Sequence, residues 1–245
     1  MKRVLVKICG IKTLQAAWAA VEAGADMVGF VFAPSRRRIE PSLAREITLR
    51  LPKEVWKVGV FVNEEKETVQ ALADLCHLDV IQLHGQESPE YCQGFKQKVF
   101  KAWHIPPPGR QGISAERDCA RACNLAERGK GSADGKTTWP ETTGDKLRQE
   151  RELLWLRMGR YQVTAFLLDT LVQGGPGGTG LSLDWNLASE LARLYPVILA
   201  GGLTPERVAE AVQQVQPLGV DVSSGVETDG EKDPAKMRAF IAAVS

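Results

Sequence analysis

The chain has no surplus of charge, no clustered cysteines and no long apolar run. Its 31 basic and 30 acidic residues leave a formal charge of +1, so no global field draws it to nucleic acid or to an anionic membrane, and a small molecule is the expected partner. Five cysteines, Cys9, Cys76, Cys92, Cys119 and Cys123, form an odd, scattered set without a CxxC pair. That pattern argues against a disulfide framework and fits reduced thiols in a cytoplasmic protein. The N-terminus offers basic residues but no apolar core of a signal segment, and nothing approaches ~18 consecutive apolar residues, so neither export nor a membrane span is expected.

What the chain does have is repetition. Short apolar runs alternate with helical patterns: RVLVKIC, DMVGFVF, WKVGVFV, DVIQL, VFKAW, TAFLLD, PVILA and GVDVS read as eight strands. Their continuous apolar character suits strands buried on both faces of a parallel sheet. TLQAAWAAVEAG reads as a helix closed by Gly24, and TPERVAEAVQQV and PAKMRAFIAAV as two more. Eight βα units in a chain of about 250 residues are the count and size of a TIM barrel, so the expected fold is a single-domain α/β (βα)8 barrel over residues 1–245.

With strand ends placed near Cys9, Phe32, Val62, Leu83, Trp103, Asp169, Ala200 and Ser223, the spacings run 23, 30, 21, 20, 66, 31 and 23 residues. The excess follows strand five. There PPPGRQG and ERGKGSADGKTTWPETTGDK have the Gly, Pro, Thr and charge content of a loop, flanked by helical patterns at Ala115 to Arg128 and Lys146 to Met158. The expectation is an extended βα connection over about 106–160 with a flexible insertion at 129–146; a long surface loop costs little, and a lid or partner-binding segment is the other reading. An open doubly wound sheet would alternate strands and helices in the same way, but it would carry its Gly-rich turn after strand one. Here the Gly-rich segments follow strands six, seven and eight, where barrels bind phosphate.

Cys9 and Asp169 each end an apolar strand, and in a parallel barrel all such ends converge on one face. A thiol and a carboxyl across one mouth make a candidate base and acid; a small buried hydrophobe and a loop-orienting carboxylate are the plainer readings. After Asp169, GGPGGTG holds five glycines within seven residues, ending at Gly180. AGGLTPE after strand seven brings Gly201 and Gly202 before a helix start at Thr204, and VSSGVE after strand eight brings Ser223, Ser224 and Gly225. Oriented N–H groups in such turns hold anions, and a phosphate is the favoured ligand. APSRRRIEP after strand two offers Arg36, Arg37 and Arg38, either to hold an anionic group bidentately or as a solvated charge run. His84 follows strand four as a pocket or structural residue.

In this order, KICGI, GFVFAPSRRRIEP, GVFVN, QLHG, LLDT, GGTGLSLDW, AGGLTPERV, DVSSGVE and the trailing GEKD resemble the phosphoribosylanthranilate isomerase family. The resemblance spans the chain outside about Pro106 to Tyr161. It implies an Amadori rearrangement of N-(5-phosphoribosyl)anthranilate in tryptophan biosynthesis, with no metal and no organic cofactor. By the same resemblance Cys9 is the general base and Asp169 the general acid. Gly180, Gly201, Gly202, Ser224 and Gly225 would hold the phosphate and Arg37 the anthranilate carboxylate, with His84 lining the pocket. The implied assembly is a monomer or homodimer. Another phosphosugar barrel enzyme, or a phosphosugar-binding protein without turnover, are the alternatives the residues leave open.

Overall fold

The computed structural model describes residues 3–105, 143–170 and 184–244. The chain divides into two compact units, Met1–Pro108 with Tyr161–Ser245, and Gly109–Arg160. In the first unit, eight parallel strands close into a barrel in sequence order: β1 Leu5–Cys9, β2 Met27–Val31, β3 Trp56–Phe61, β4 Val80–Leu83, β5 Lys98–Ile105, β6 Ala165–Thr170, β7 Val197–Leu199 and β8 Gly219–Val222. β1 pairs with both β2 and β8, which completes the ring. The expected strand ends are met within two residues at every strand, and the barrel is the expected fold.

The helices of this unit are α1 Leu14–Ala23, α2 Pro41–Thr48, α3 Lys66–Leu75, α5 Trp185–Leu194, α6 Val208–Val215 and α7 Pro234–Val244. Local chemistry sets their ends. Thr13 accepts the Ala16 N–H at the start of α1, and Gly24, at φ 100°, closes it in the left-handed conformation. Asp184 caps α5 by accepting from Asn186 and Leu187, and Asp233 Oδ1 accepts from Ala235 and Lys236 at the head of α7. Two expectations need correction. The helix after β7 begins at Val208 rather than Thr204, because Thr204 O first accepts the Arg207 and Val208 N–H groups in a separate turn. Of the eight βα units expected, the fourth has no helix among the described residues. Between β4 and β5, Pro89 and Gly94, at φ 78°, break any long helical run. A buried ion pair from Lys101 Nζ to Glu87 Oε2, at 3.0 Å, ties that connection to the barrel instead. Glu87 also accepts the N–H groups of Asn63 and Gly85.

In the second unit, α4 spans Thr143–Met158. It contains the helical pattern expected from Lys146 to Met158 and takes in residues 143–146, the end of the stretch expected to be a flexible insertion. The pattern at Ala115 to Arg128 and the rest of that stretch lie outside the described residues.

Alternation along the strands divides the barrel interior into layers. Met27, Val58, Val80, Phe100, Ala102, Ala165, Leu167, Ile198 and Ala200 form one apolar cluster, with Leu5 and Trp56 against it. Continuing in steps of two toward the strand C-termini gives Lys7 and Cys9 on β1, Gln82 and His84 at β4, His104 on β5, Asp169 on β6 and Asp221 on β8. The same interior face is apolar below and polar above. Among the described residues, no helix is long and apolar enough to cross a membrane.

Candidate active site

Cys9 ends β1 with 8% of its surface exposed, and Lys7, two residues earlier on the same face, is fully buried. Lys7 Nζ meets Asp221 Oδ1 across the β1–β8 pair at 2.9 Å. Both Lys7 and Cys9 use the space left by Gly29 on β2. A Cβ there would lie 2.8 Å from Cys9 Sγ and 3.0 Å from Lys7 Nζ. Burial alone would lower Lys7, but Asp221 and Cys9 outweigh it and hold the ammonium above its ordinary range. Burial pushes the Cys9 thiol up, against the opposing pull of Lys7 and, more weakly, Lys232. A buried ammonium therefore stands ready to stabilise a thiolate at Cys9 when one forms.

Above this pair lies a second charged group. Arg37 Nε donates to Glu227 Oε1 at 2.7 Å and its Nη2 to Oε2 at 3.0 Å, a bidentate fork. Lys232 Nζ donates to Glu227 Oε1 at 2.8 Å, to Ser223 O at 2.9 Å and to Ser223 Oγ at 3.2 Å. Ser223 Oγ in turn donates to the Cys9 carbonyl at 3.0 Å. Burial would raise the Glu227 carboxyl, yet its hydrogen bonds and charge contacts with Arg37 and Lys232 hold it down to about 2. Gly10, at φ 82°, admits this crossing, since a Cβ there would lie 2.6 Å from Arg37 Cδ. Glu227 and Lys232 come from a short antiparallel ribbon, β9 Glu227–Thr228 with β10 Glu231–Lys232.

On β4, β5 and β6 the chemistry changes. His84 Nε2 lies 3.3 Å from Asp169 Oδ2, and its Nδ1 lies 3.0 Å from Gln82 Nε2. The His104 ring meets the His84 ring edge-on, with centroids 5.3 Å apart. Partial desolvation and the neighbouring His84 lower the pKa of His104. Between these two walls the β7 and β8 loops pack directly together, for a Cβ on Gly225 would fall 1.9 Å from Leu203 O. Gly201 and Gly202 both hold positive φ, 80° and 68°. The backbone N–H groups of Gly201, Gly202, Ser224 and Gly225 have no acceptor among the described residues, which is the donor set an anion needs.

A thiol, a carboxyl and an anion-ready turn pair at one barrel mouth fit a sugar-phosphate isomerase, and sequence comparison decides which. A profile of the family described as N-(5'-phosphoribosyl)anthranilate (PRA) isomerase matches residues 6–124 and 148–243. The chain belongs to that family. An N-(5'-phosphoribosyl)anthranilate isomerase of Desulforudis audaxviator is 48% identical over 237 residues, 97% of this chain and 96% of its own. The solved phosphoribosyl anthranilate isomerase of Thermotoga maritima is 37% identical, with a TM-score of 0.71 and 98% of each chain covered. A second solved isomerase, 36% identical with a TM-score of 0.67 and 98% of each chain covered, is in complex with reduced 1-(o-carboxyphenylamino)-1-deoxyribulose 5-phosphate. This chain is accordingly an enzyme, an isomerase of the phosphoribosylanthranilate isomerase family.

Within this isomerase the structure places the expected residues unevenly. Cys9, Asp169, His84, Gly201, Gly202, Ser224 and Gly225 all stand at the C-terminal end of the barrel. Gly180 lies outside the described residues. Of the three arginines, Arg37 is the half-buried one with its guanidinium fixed on Glu227; Arg36 reaches the same carboxylate at 3.1 Å with its side chain half exposed. The reading of the sequence did not assign Asp221, Glu227, Lys232, Gln82 or His104. A usable signal existed for most of them. Gln82, His104 and Asp221 are polar residues inside apolar strands, each in step with another polar residue of the mouth, two positions away or one strand across. Glu227 and Lys232 carry no such signal, because the ribbon that delivers them follows no strand period.

Proposed function

We propose that Cys9 and Asp169 are the general base and general acid that convert N-(5-phosphoribosyl)anthranilate to 1-(2-carboxyphenylamino)-1-deoxyribulose 5-phosphate, the isomerisation step of tryptophan biosynthesis. The observation that carries this reading is the placement of a buried thiol, backed by the Lys7 ammonium, at the end of β1 and of a carboxyl at the end of β6 in one mouth. Asp169 delivers a proton to the furanose ring oxygen as the bond from C1 to that oxygen breaks, leaving a protonated Schiff base. The Cys9 thiolate then takes the proton from C2, and the electron pair moves through C1 to nitrogen to give an enolamine. Loss of the enol O–H proton and protonation at C1 yield the ketone.

The remaining residues position the substrate. The phosphate sits on the N–H groups of Gly201, Gly202, Ser224 and Gly225, with Gly180 contributing from its loop. Arg37 uses two of its five N–H donors on Glu227 and keeps the others for the anthranilate carboxylate. His84 lines the pocket beside Asp169. The chain works as a single barrel domain, monomeric or homodimeric, in the cytoplasm, with 106–160 as an extended βα connection and 129–146 as its insertion. Freshly generated phosphoribosylanthranilate should lose its anthranilate-type fluorescence with wild-type protein and yield the aminoketose by NMR. Tight phosphosugar binding without turnover would instead make the chain a binding protein.

A further inference from the structure

We propose that His84, His104 and Asp169 form a binding site for a divalent transition ion of the zinc class, and that an ion there excludes catalysis. The three side chains project from neighbouring strands, β4, β5 and β6, and each offers one donor atom, all within 4.8 Å of one another. The separation of His84 Nε2 and Asp169 Oδ2, 3.3 Å, is the edge of a tetrahedron with bonds of about 2.0 to 2.1 Å, which gives ligand atoms about 3.3 Å apart. Two imidazoles and one carboxylate suit zinc and its neighbours, whereas calcium and magnesium require more oxygen donors. Three protein ligands leave a fourth position for water.

Gln82 supplies the independent sign. Its side chain is 1% exposed, yet Oε1 has no hydrogen-bond partner among the described residues. In the present orientation the Gln82 amide donates to His84 Nδ1, so the neutral ring carries its proton on Nε2, facing Asp169. Half a turn of the amide brings Oε1 to Nδ1, accepts a proton there, and frees the Nε2 lone pair for an ion. Either orientation leaves one buried amide atom unpartnered, so the exchange costs little. Gln82 thus supports both states of His84: proton on Nε2 for the isomerase, lone pair on Nε2 for the ion. An ion bound to Asp169 occupies the oxygens that would carry the proton to the sugar, a consequence that rests on the acid role proposed above.

The test is spectroscopic. Metal-free protein is titrated with Co2+ and followed by its visible absorption, with Zn2+ as the competitor, for wild type, His104→Asn and Gln82→Leu. The expected result is one equivalent bound with nitrogen and oxygen ligands, displaced by Zn2+. Affinity should fall more than about tenfold in His104→Asn and measurably in Gln82→Leu, while both variants keep the wild-type circular dichroism. Failure of wild type to bind, an unchanged affinity in His104→Asn, or a sulfur-to-cobalt charge-transfer band placing the ion on a thiolate would each overturn the proposal. Because the spectrum needs no turnover, a chain that binds cobalt but, assayed free of metal, leaves phosphoribosylanthranilate unchanged refutes the catalytic reading and not the site, whereas a cobalt-saturated chain that keeps the full rate of the metal-free protein overturns the exclusion.

Discussion

The wall of the mouth built by β1 and β8 and the wall built by β4, β5 and β6 are made differently. On the first, the charged groups pair directly: Lys7 with Asp221, and Glu227 with Arg36, Arg37 and Lys232. On the second, Asp169 meets an imidazole, and that imidazole meets a neutral amide. The difference suits the two tasks proposed for Cys9 and Asp169. A buried thiol becomes a base only beside a fixed positive charge, and a fixed ammonium in a barrel interior needs a carboxylate to offset its desolvation. The first wall is therefore an electrostatic frame, and on the second the carboxyl proposed as the acid stands 3.3 Å from an imidazole.

The largest effects should come from removing the chemistry of either wall. Asp169→Asn and Cys9→Ser should each lower kcat by about 2 to 4 orders of magnitude with little change in KM. Steady-state assays check this, and a loss confined to KM would move the residue from chemistry to binding. Next, Lys7→Met breaks the frame by leaving the Asp221 carboxylate buried without its partner. It should cost about 3 to 5 kcal/mol of stability in urea unfolding, whereas His84→Asn on the other wall should cost far less.

The frame should also respond to acid. The folded Glu227 carboxyl lies at about 2, below the ordinary 4.5, so its contribution is complete above the unfolded value and is lost as pH falls from about 4.5 through about 2. Wild type should lose on the order of 3 kcal/mol more than Glu227→Gln across that window, measured by unfolding at successive pH values. The smallest effect belongs to the turns after β7 and β8, proposed to hold the phosphate, which stand between the two walls. Gly225→Ala drives a methyl against Leu203 O and should cost about 1 to 3 kcal/mol, with KM for the phosphorylated substrate raised more than kcat is lowered.

Legibility in the sequence also differed between regions. The strands were legible because each is a short, mainly apolar run between turn residues, and the glycines of the β7 and β8 turns because they sit where strands end. The link between Cys9 and Lys7 was visible as spacing, but its purpose appeared only with Asp221, which lies 214 residues away and enters through barrel closure. Gly29 carried no signal, since the reason for it is a neighbour's sulfur. The β4–β5 connection misled for a physical reason. The size of the gap allows a helix, and a buried Lys101–Glu87 pair does the tethering that a helix would otherwise do. Glu227 and Lys232 were unreadable because the excursion over 223–233, between β8 and α7, delivers them beside Arg37 and Ser223.

The division of labour between the two walls is tested most directly by single-turnover kinetics with substrate deuterated at C2. Taking that proton is the task proposed for Cys9, so Cys9→Ser should show a larger primary isotope effect than wild type. In Asp169→Asn ring opening becomes limiting, and the isotope effect should shrink toward unity. Equal isotope effects in the two variants, or the reverse pattern, would contradict the assignment of base to β1 and acid to β6.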